Sequence, residues 1–153
     1  MEPWLELATR LFPDQLNFEL KFHLEAWETV WQLIFDLKHE VMAAHTANDI
    51  ELLEKIYGYA EWCYELREAE PDYWQAAFCG FYEHLGDKAT TYGAIPYWVK
   101  PAIFKEMLGE LEDRLDNKAK YPFERPGSFT QLLENYDAVH GTNFAAEHRR
   151  RKA

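Results

Sequence analysis

The chain has 153 residues with 27 acidic and 16 basic side chains, which gives a formal net charge of −11 at pH 7. This charge disfavours bare nucleic acid and anionic membranes as partners, since both require a positive protein surface. With 48% apolar and 16% aromatic residues, the chain is long enough to bury one domain core that is rich in Trp, Tyr and Phe.

The N-terminal third is predicted to be helical. A short amphipathic helix is expected over residues 2–12, with Pro3 in its first turn. Apolar residues then keep a helical period from residue 14 to residue 45, which predicts one long helix, with a break near Phe22 and His23 as the alternative. The residues that carry this period are Leu16, Leu20, Leu24, Trp27, Trp31, Ile34, Leu37 and Val41.

The central stretch, residues 48–85, is predicted to form an antiparallel αα-hairpin. Asn48 is the expected N-cap of its first helix, because Asn side chains accept hydrogen bonds from the first free backbone amides. Pro71 ends that helix and Asp72 is expected to cap the second. Gly86 follows where a left-handed C-terminal residue is favoured.

The C-terminal half contains a further irregular segment and two more helices. Residues 87–100 are predicted to be an ordered aromatic loop, because Gly93 and Pro96 interrupt any helical period. Pro101 suits the first position of a helix that runs to about Leu115.

An extended connector, residues 116–127, leads to the last predicted helix. Ser128 is its expected N-cap, with Gln131 completing a capping box, and Gly141 is its stop. Residues 142–153 contain four consecutive basic residues, at positions 149–152, and are expected to fray.

These patterns predict an all-α fold. Val and Ile are sparse and no stretch shows the alternation of a strand, so the expected architecture is a single-domain bundle of about five or six helices around the central hairpin. The domain is expected to span residues 1–141, followed by the basic tail 142–153.

The chain carries no motif for catalysis or cofactor binding, so neither an enzyme nor a cofactor is expected. Glu19 and His23 share a helix face, but a metal site needs more ligands than this pair, and no metal is expected. Cys63 and Cys79 lie within predicted helices, where we expect core thiols at similar depth in a cytoplasmic protein. No segment is apolar enough to span a membrane.

The first helix of the hairpin and its following turn are the most acidic part of the chain. Residues 48–72 contain eight acidic and two basic side chains. A helical wheel places four acids on the side away from the apolar face, with an aromatic residue among them: Glu51, Glu54, Glu61, Glu65 and Trp62. This pattern fits a solvated face with Trp62 covered by a neighbour, or a partner-binding face with Trp62 as its aromatic anchor.

Two aromatic segments carry a family resemblance. Tyr59-Ala60-Glu61-Trp62-Cys63 and Phe81-Tyr82-Glu83-His84-Leu85, followed by residues 98–104, resemble an uncharacterised family of small acidic helical bacterial proteins, similar to the immunity proteins of polymorphic toxin systems. The resemblance covers residues 56–107. It implies a helical cytosolic protein without an enzymatic signature, and it assigns no functional residue.

The sequence therefore predicts an acidic protein-binding domain, in the form of an immunity protein or antitoxin that neutralises a basic toxin or nuclease by occlusion. The alternative is a helical-bundle enzyme or small-ligand binder with a pocket under the 87–100 loop.

Overall fold

The computed structural model describes residues 2–13 and 27–153, and the regular elements in these residues are eight α-helices and one short 3-10 helix. The all-α fold class is confirmed, whereas the predicted count of five or six helices is not. The chain divides into two compact units, Met1–His84 and Leu85–Ala153. The single domain over residues 1–141 stays a prediction.

The first unit is built on three helices that pack against one another. Its described elements are α1 Pro3–Leu11, α2 Val30–Thr46, α3 Ile50–Glu65, α4 Pro71–Gly80 and the 3-10 helix Tyr82–His84. Helices α2, α3 and α4 each contact the other two, and α1 packs on α2 and α3. Their buried side chains include Leu33, Ile34, Leu37, Ile56, Ala60 and Ala77.

The prediction of one continuous helix over residues 14–45 is wrong, because α2 begins only at Val30. The Thr29 hydroxyl accepts a hydrogen bond from the Gln32 backbone N–H at 3.2 Å, and the Gln32 side chain accepts one from the Thr29 backbone N–H at 3.2 Å. This reciprocal capping box defines the start of a helix. The alternative break near Phe22 and His23 lies outside the described residues.

The N-cap of α3 is one residue away from the predicted position. Asp49 caps the helix, since its Oδ1 accepts a hydrogen bond from the Leu52 backbone N–H at 3.1 Å. Asn48 instead takes the left-handed backbone conformation, with φ of 52°, that leads the chain from α2 into the cap. Asn tolerates this conformation better than most residues.

Helix α4 also differs from its prediction at both ends. Pro71 occupies the first helical position, so Glu70 is the N-cap and Asp72 lies in the first turn rather than at the cap. The helix ends at Gly80, not near Leu85.

Gly86 does not adopt the predicted left-handed conformation. A Cβ there would lie 3.2 Å from a methyl group of Leu111, so a close approach within the second unit accounts for this glycine.

The second unit is arranged around its third helix. Its elements are α5 Ala89–Trp98, α6 Pro101–Asp116, α7 Phe129–His140 and α8 Phe144–Lys152. Helix α7 packs against α5, α6 and α8. Pro101 opens α6 as predicted, the Ser128 hydroxyl accepts from the Gln131 backbone N–H at 3.0 Å, and Gly141 ends α7 with φ of 66°.

The predicted loop over residues 87–100 is wrong, because most of it forms α5 with Pro96 inside the helix. A proline within a helix removes one N–H donor. Side chains of α7 hold the carbonyl groups at this end of α5: His140 Nε2 donates to the Pro96 carbonyl at 2.6 Å, and the Tyr136 hydroxyl donates to the Val99 carbonyl at 2.5 Å.

The predicted frayed tail over residues 142–153 is corrected by α8. The Asp137 carboxylate accepts hydrogen bonds from the Phe144 and Ala145 backbone N–H groups, both at 2.9 Å, and from the Thr142 hydroxyl at 2.6 Å. Phe144 and Ala145 are buried, and the Phe144 ring packs edge-on against Tyr136. An acid in the preceding helix therefore holds the start of α8, while residues 149–153 remain exposed.

The capping box of α2 can be tested by Thr29→Ala. We expect the free energy of unfolding to fall by about 1 kcal/mol, because the Thr29 hydroxyl accepts a hydrogen bond from a backbone N–H that the first turn of the helix leaves without an acceptor. Thr46→Ala is the matched control, since the Thr46 hydroxyl only donates back to the Met42 carbonyl within the same helix. Its effect should stay within about 0.5 kcal/mol. Equal losses in urea denaturation would contradict the assignment of Thr29 as the cap.

Candidate functional site

The residues predicted to form a partner surface lie on one helix. Glu51, Glu54, Gly58, Trp62 and Glu65 follow one another at steps of three and four residues along α3, so they form one longitudinal stripe. We call this stripe, together with Glu61 beside it, the acidic face. Helix α3 turns its opposite side, with Leu53, Ile56, Ala60 and Cys63, into the core.

The carboxylates of the acidic face differ in their exposure. Glu51, Glu54 and Glu65 are exposed, whereas Glu61 is half-buried. Glu51 lies 3.5 Å from the Lys55 ammonium group and keeps 83% of its side chain exposed. An exposed pair of this kind leaves the carboxylate available to a partner at little cost in folding energy.

Trp62 is half-buried. Its exposure is therefore intermediate between the two predictions, a Trp62 covered by a neighbour and a Trp62 that serves as the anchor of a partner-binding face. Its ring contacts Tyr59 on the same helix and Tyr73 on α4, with centroids 5.7 and 5.8 Å apart. One part of the indole therefore contributes to the α3–α4 packing, and the rest lies at the surface among the acids.

Glu61 lies close enough to the core to affect a tyrosine. Burial raises the pKa of the Tyr82 hydroxyl well above its ordinary value, and the Glu61 charge raises it further. Glu61 thus differs from the exposed acids of the stripe, because its charge also affects the pKa of a buried side chain.

Gly58 leaves the middle of the acidic face without a side chain. It is exposed, and an added Cβ would meet no atom within 4 Å. Glycine within a helix costs up to about 1 kcal/mol relative to alanine, and among the described residues no packing contact requires it here.

The α3–α4 connection supplies acids that the sequence analysis left out of the site. Glu68 and Asp72 are exposed and Glu70 is half-buried. The helical wheel does not include them, because they lie beyond the end of α3. The excess of acidic over basic residues in 48–72 does include them.

The charge imbalance follows the division into units. Met1–His84 contains 17 acidic and 5 basic residues, a net charge of −12, whereas Leu85–Ala153 contains 10 acidic and 11 basic residues, a net charge of +1. The acidic face therefore belongs to a unit that is acidic as a whole.

Two open cavities of the second unit are lined by residues outside 87–100. One of about 610 Å³ lies beneath the connector, with Asp116, Phe123 and Arg125 among its lining residues. A groove of about 740 Å³ runs between α6 and α8, where His148 Nε2 lies 3.3 Å from a Glu112 carboxylate oxygen.

Residues 2–13 and 27–153 contain no group of three or more His, Cys, Asp or Glu side chains arranged to hold a metal ion. Glu19 and His23 lie outside these residues. Of the helices in the same ranges, none combines the length and apolar character needed to cross a bilayer.

No family model, no curated protein and no solved structure matches the chain.

The two thiols should differ in reactivity. Cys63 is fully buried and burial raises its pKa to about 12, whereas Cys79 is half-buried. At pH 8 a pKa of 12 in place of 9 lowers the thiolate fraction roughly a thousandfold. In a Cys79→Ser variant we expect alkylation of Cys63 to be at least about 100-fold slower in the native than in the urea-unfolded protein. Equal rates would show that Cys63 is not enclosed.

Proposed function

We propose that the chain is an acidic protein-binding domain whose acidic face takes a basic protein partner. The single observation that carries the proposal is the exposure of Glu51, Glu54 and Glu65 along α3, beside a Trp62 that is only half-buried. Exposed charge speeds association and selects the partner, while burial of an aromatic ring slows dissociation.

The form of this function that we favour is an immunity protein or antitoxin. A basic toxin or nuclease has a positive substrate-binding surface, because its substrate carries phosphates, and a protein with a net charge of −11 can cover that surface. Inhibition would then occur by occlusion, without catalysis or a cofactor. The resemblance to immunity-type proteins supports this form, and two cysteines that form no disulfide among the described residues fit a cytoplasmic location.

A second candidate function is small-ligand binding or catalysis in the second unit. The cavity of about 610 Å³ beneath the connector has the size of a ligand site and combines the Phe123 ring with Asp116 and Arg125. The pocket expected under residues 87–100 stays a separate prediction. A small molecule that protects the protein against thermal unfolding, and loses this effect on Arg125→Ala, would favour this function.

Charge reversal of the acidic face tests the proposed function. The variant Glu51→Lys/Glu54→Lys/Glu65→Lys should keep its thermal stability, because exposed charges contribute little to folding. We expect it to lose a basic partner that the wild-type protein captures from cells of the source organism. With that partner purified, the loss should lie mainly in the association rate constant and shrink above about 0.1 M salt, where charges are screened over about 10 Å.

The matched control is Glu124→Lys/Glu134→Lys/Glu147→Lys. It makes the same charge change at exposed acids of the second unit. If both triple variants bind equally weakly, net charge rather than the acidic face determines binding. If neither variant changes binding, the proposed surface is wrong. Loss of inhibition of the partner's enzymatic activity, in step with loss of binding, would establish the immunity form.

Gly58→Ala separates stability from binding at the same face. Outside the α3 backbone, the added methyl group meets no atom of residues 2–13 and 27–153 within 4 Å, so the free energy of unfolding should rise by roughly 0.5–1 kcal/mol. If a partner approaches the α3 backbone at this point, the same methyl group should weaken binding. Gly93→Ala and Gly109→Ala are controls, because both glycines are exposed within helices and also have open space around an added Cβ. They should stabilise the protein and leave binding unchanged.

A further inference from the structure

The last turn of α8 carries three consecutive arginines at the surface. Residues 149–151 are all exposed, and in the part of the chain that the structure describes none of the three forms an ion pair. Their neighbours His148 and Lys152 differ, since these lie 3.3 and 3.4 Å from the Glu112 carboxylate. We call residues 149–151 the basic end.

The structure holds the basic end on an ordered helix. The Asp137 carboxylate accepts hydrogen bonds from the first backbone N–H groups of α8, and the Phe144 ring is buried. Successive residues on a helix point about 100° apart, so the three guanidinium groups spread around the end of α8. A charged group that is already ordered loses less freedom when it binds.

The residue type of the basic end indicates what it binds. The dipole of α8 favours cations in its last turn, but it favours lysine as much as arginine. Arginine also binds carboxylates through two parallel hydrogen bonds and stacks on aromatic rings. The acidic face offers both kinds of group, with the exposed Glu51, Glu54 and Glu65 carboxylates and the half-buried Trp62 ring.

The acidic face has the size and shape to receive the end of a helix. From Glu51 to Glu65 it extends about 21 Å along α3, which is twice the diameter of a helix. At its centre Gly58 is exposed, and a Cβ there would have no neighbour within 4 Å among the described residues outside the α3 backbone. This open space lets another chain approach α3 closely, between acids on both sides.

We infer that the acidic face of one copy of this chain binds the basic end of a second copy. The two surfaces have opposite charge and belong to units with net charges of −12 and +1. The contact goes beyond the proposed function, because it requires no other protein. Both use the acidic face, so a basic partner competes with the second copy. Copies that each carry a net charge of −11 repel one another at long range, so the association is weak and depends on salt.

Sedimentation velocity of the purified wild-type protein tests the association. At about 0.1 M salt the sedimentation coefficient should rise as the protein concentration is raised from the micromolar to the millimolar range. At about 1 M salt the association constant should be at least about tenfold lower, because the screening length falls from about 10 Å to about 3 Å. A wild-type protein that stays monomeric at every concentration overturns the inference.

Exchange of charge between two variants identifies the surfaces. The triple Lys variant of the acidic face and Arg149→Glu/Arg150→Glu/Arg151→Glu should each be monomeric alone, because each places like charges at the contact. An equimolar mixture should associate, since opposite charges then face one another in both directions. The reversals shift the formal net charge of −11 by six, to −5 and −17, so attraction between net charges does not explain association of the mixture. A mixture that stays monomeric contradicts the pairing of these two surfaces.

Two further variants control this experiment. Lys88→Glu/Lys105→Glu/Lys118→Glu makes the same charge change at exposed bases outside α8 and should retain most of the self-association. If it becomes monomeric like the arginine variant, net charge rather than the basic end is responsible and the inference is wrong.

Replacement of the three arginines by glutamine removes their charge without placing acids at the C-terminus of a helix, and it covers a failure of α8 to fold in the Glu variant. It should also abolish self-association. None of these measurements uses a basic partner, so their failure leaves the proposed function standing.

Discussion

Buried tyrosine hydroxyls impose the constraint on which both units depend. In a helical protein the backbone hydrogen bonds are used within each helix, so polar links between helices have to come from side chains. Tyr59 donates to the Trp4 carbonyl across 55 residues, and Tyr92 donates to the Ser128 carbonyl across 36 residues. Each bond satisfies a hydroxyl that the core would otherwise leave without a partner, and each fixes one helix against another segment of its unit.

Sequence signals within a few residues were sufficient to predict much of the fold. They were insufficient where a contact with a residue far along the chain determines the local structure. The prediction of helical structure and of helix ends at Pro101, Ser128 and Gly141 rests on propensity and capping within a few residues. The prediction of a loop at residues 87–100 failed because α5 continues through Pro96 to Trp98, and the hydrogen bond to the Pro96 carbonyl at this end of the helix comes from His140, 44 residues further on. The break at Thr29 is a different case, since the capping box with Gln32 is a local signal that competes with the apolar period of a longer helix.

The candidate site shows the same division. The helical wheel placed Glu51, Glu54 and Glu65 on an exposed stripe, because side-chain direction on a single helix follows from spacing. It gave no reason to separate Glu61 from them, since the influence of Glu61 on Tyr82 depends on the fold. The unequal charge of the two units could not be predicted from the sequence, because no linker marks the boundary after His84. The net charge of each unit can be counted only once that boundary is known.

The C-terminal helix has a consequence for the integrity of the second unit. Phe104 and Tyr136 stack with centroids 3.8 Å apart, and the Phe144 ring closes over both of them edge-on. Cleavage by a protease after Gly141 would remove this cover and expose two large aromatic rings to water. Trimming of the last few basic residues would leave it in place. The two events have opposite outcomes, aggregation in the first case and a shorter but intact protein in the second.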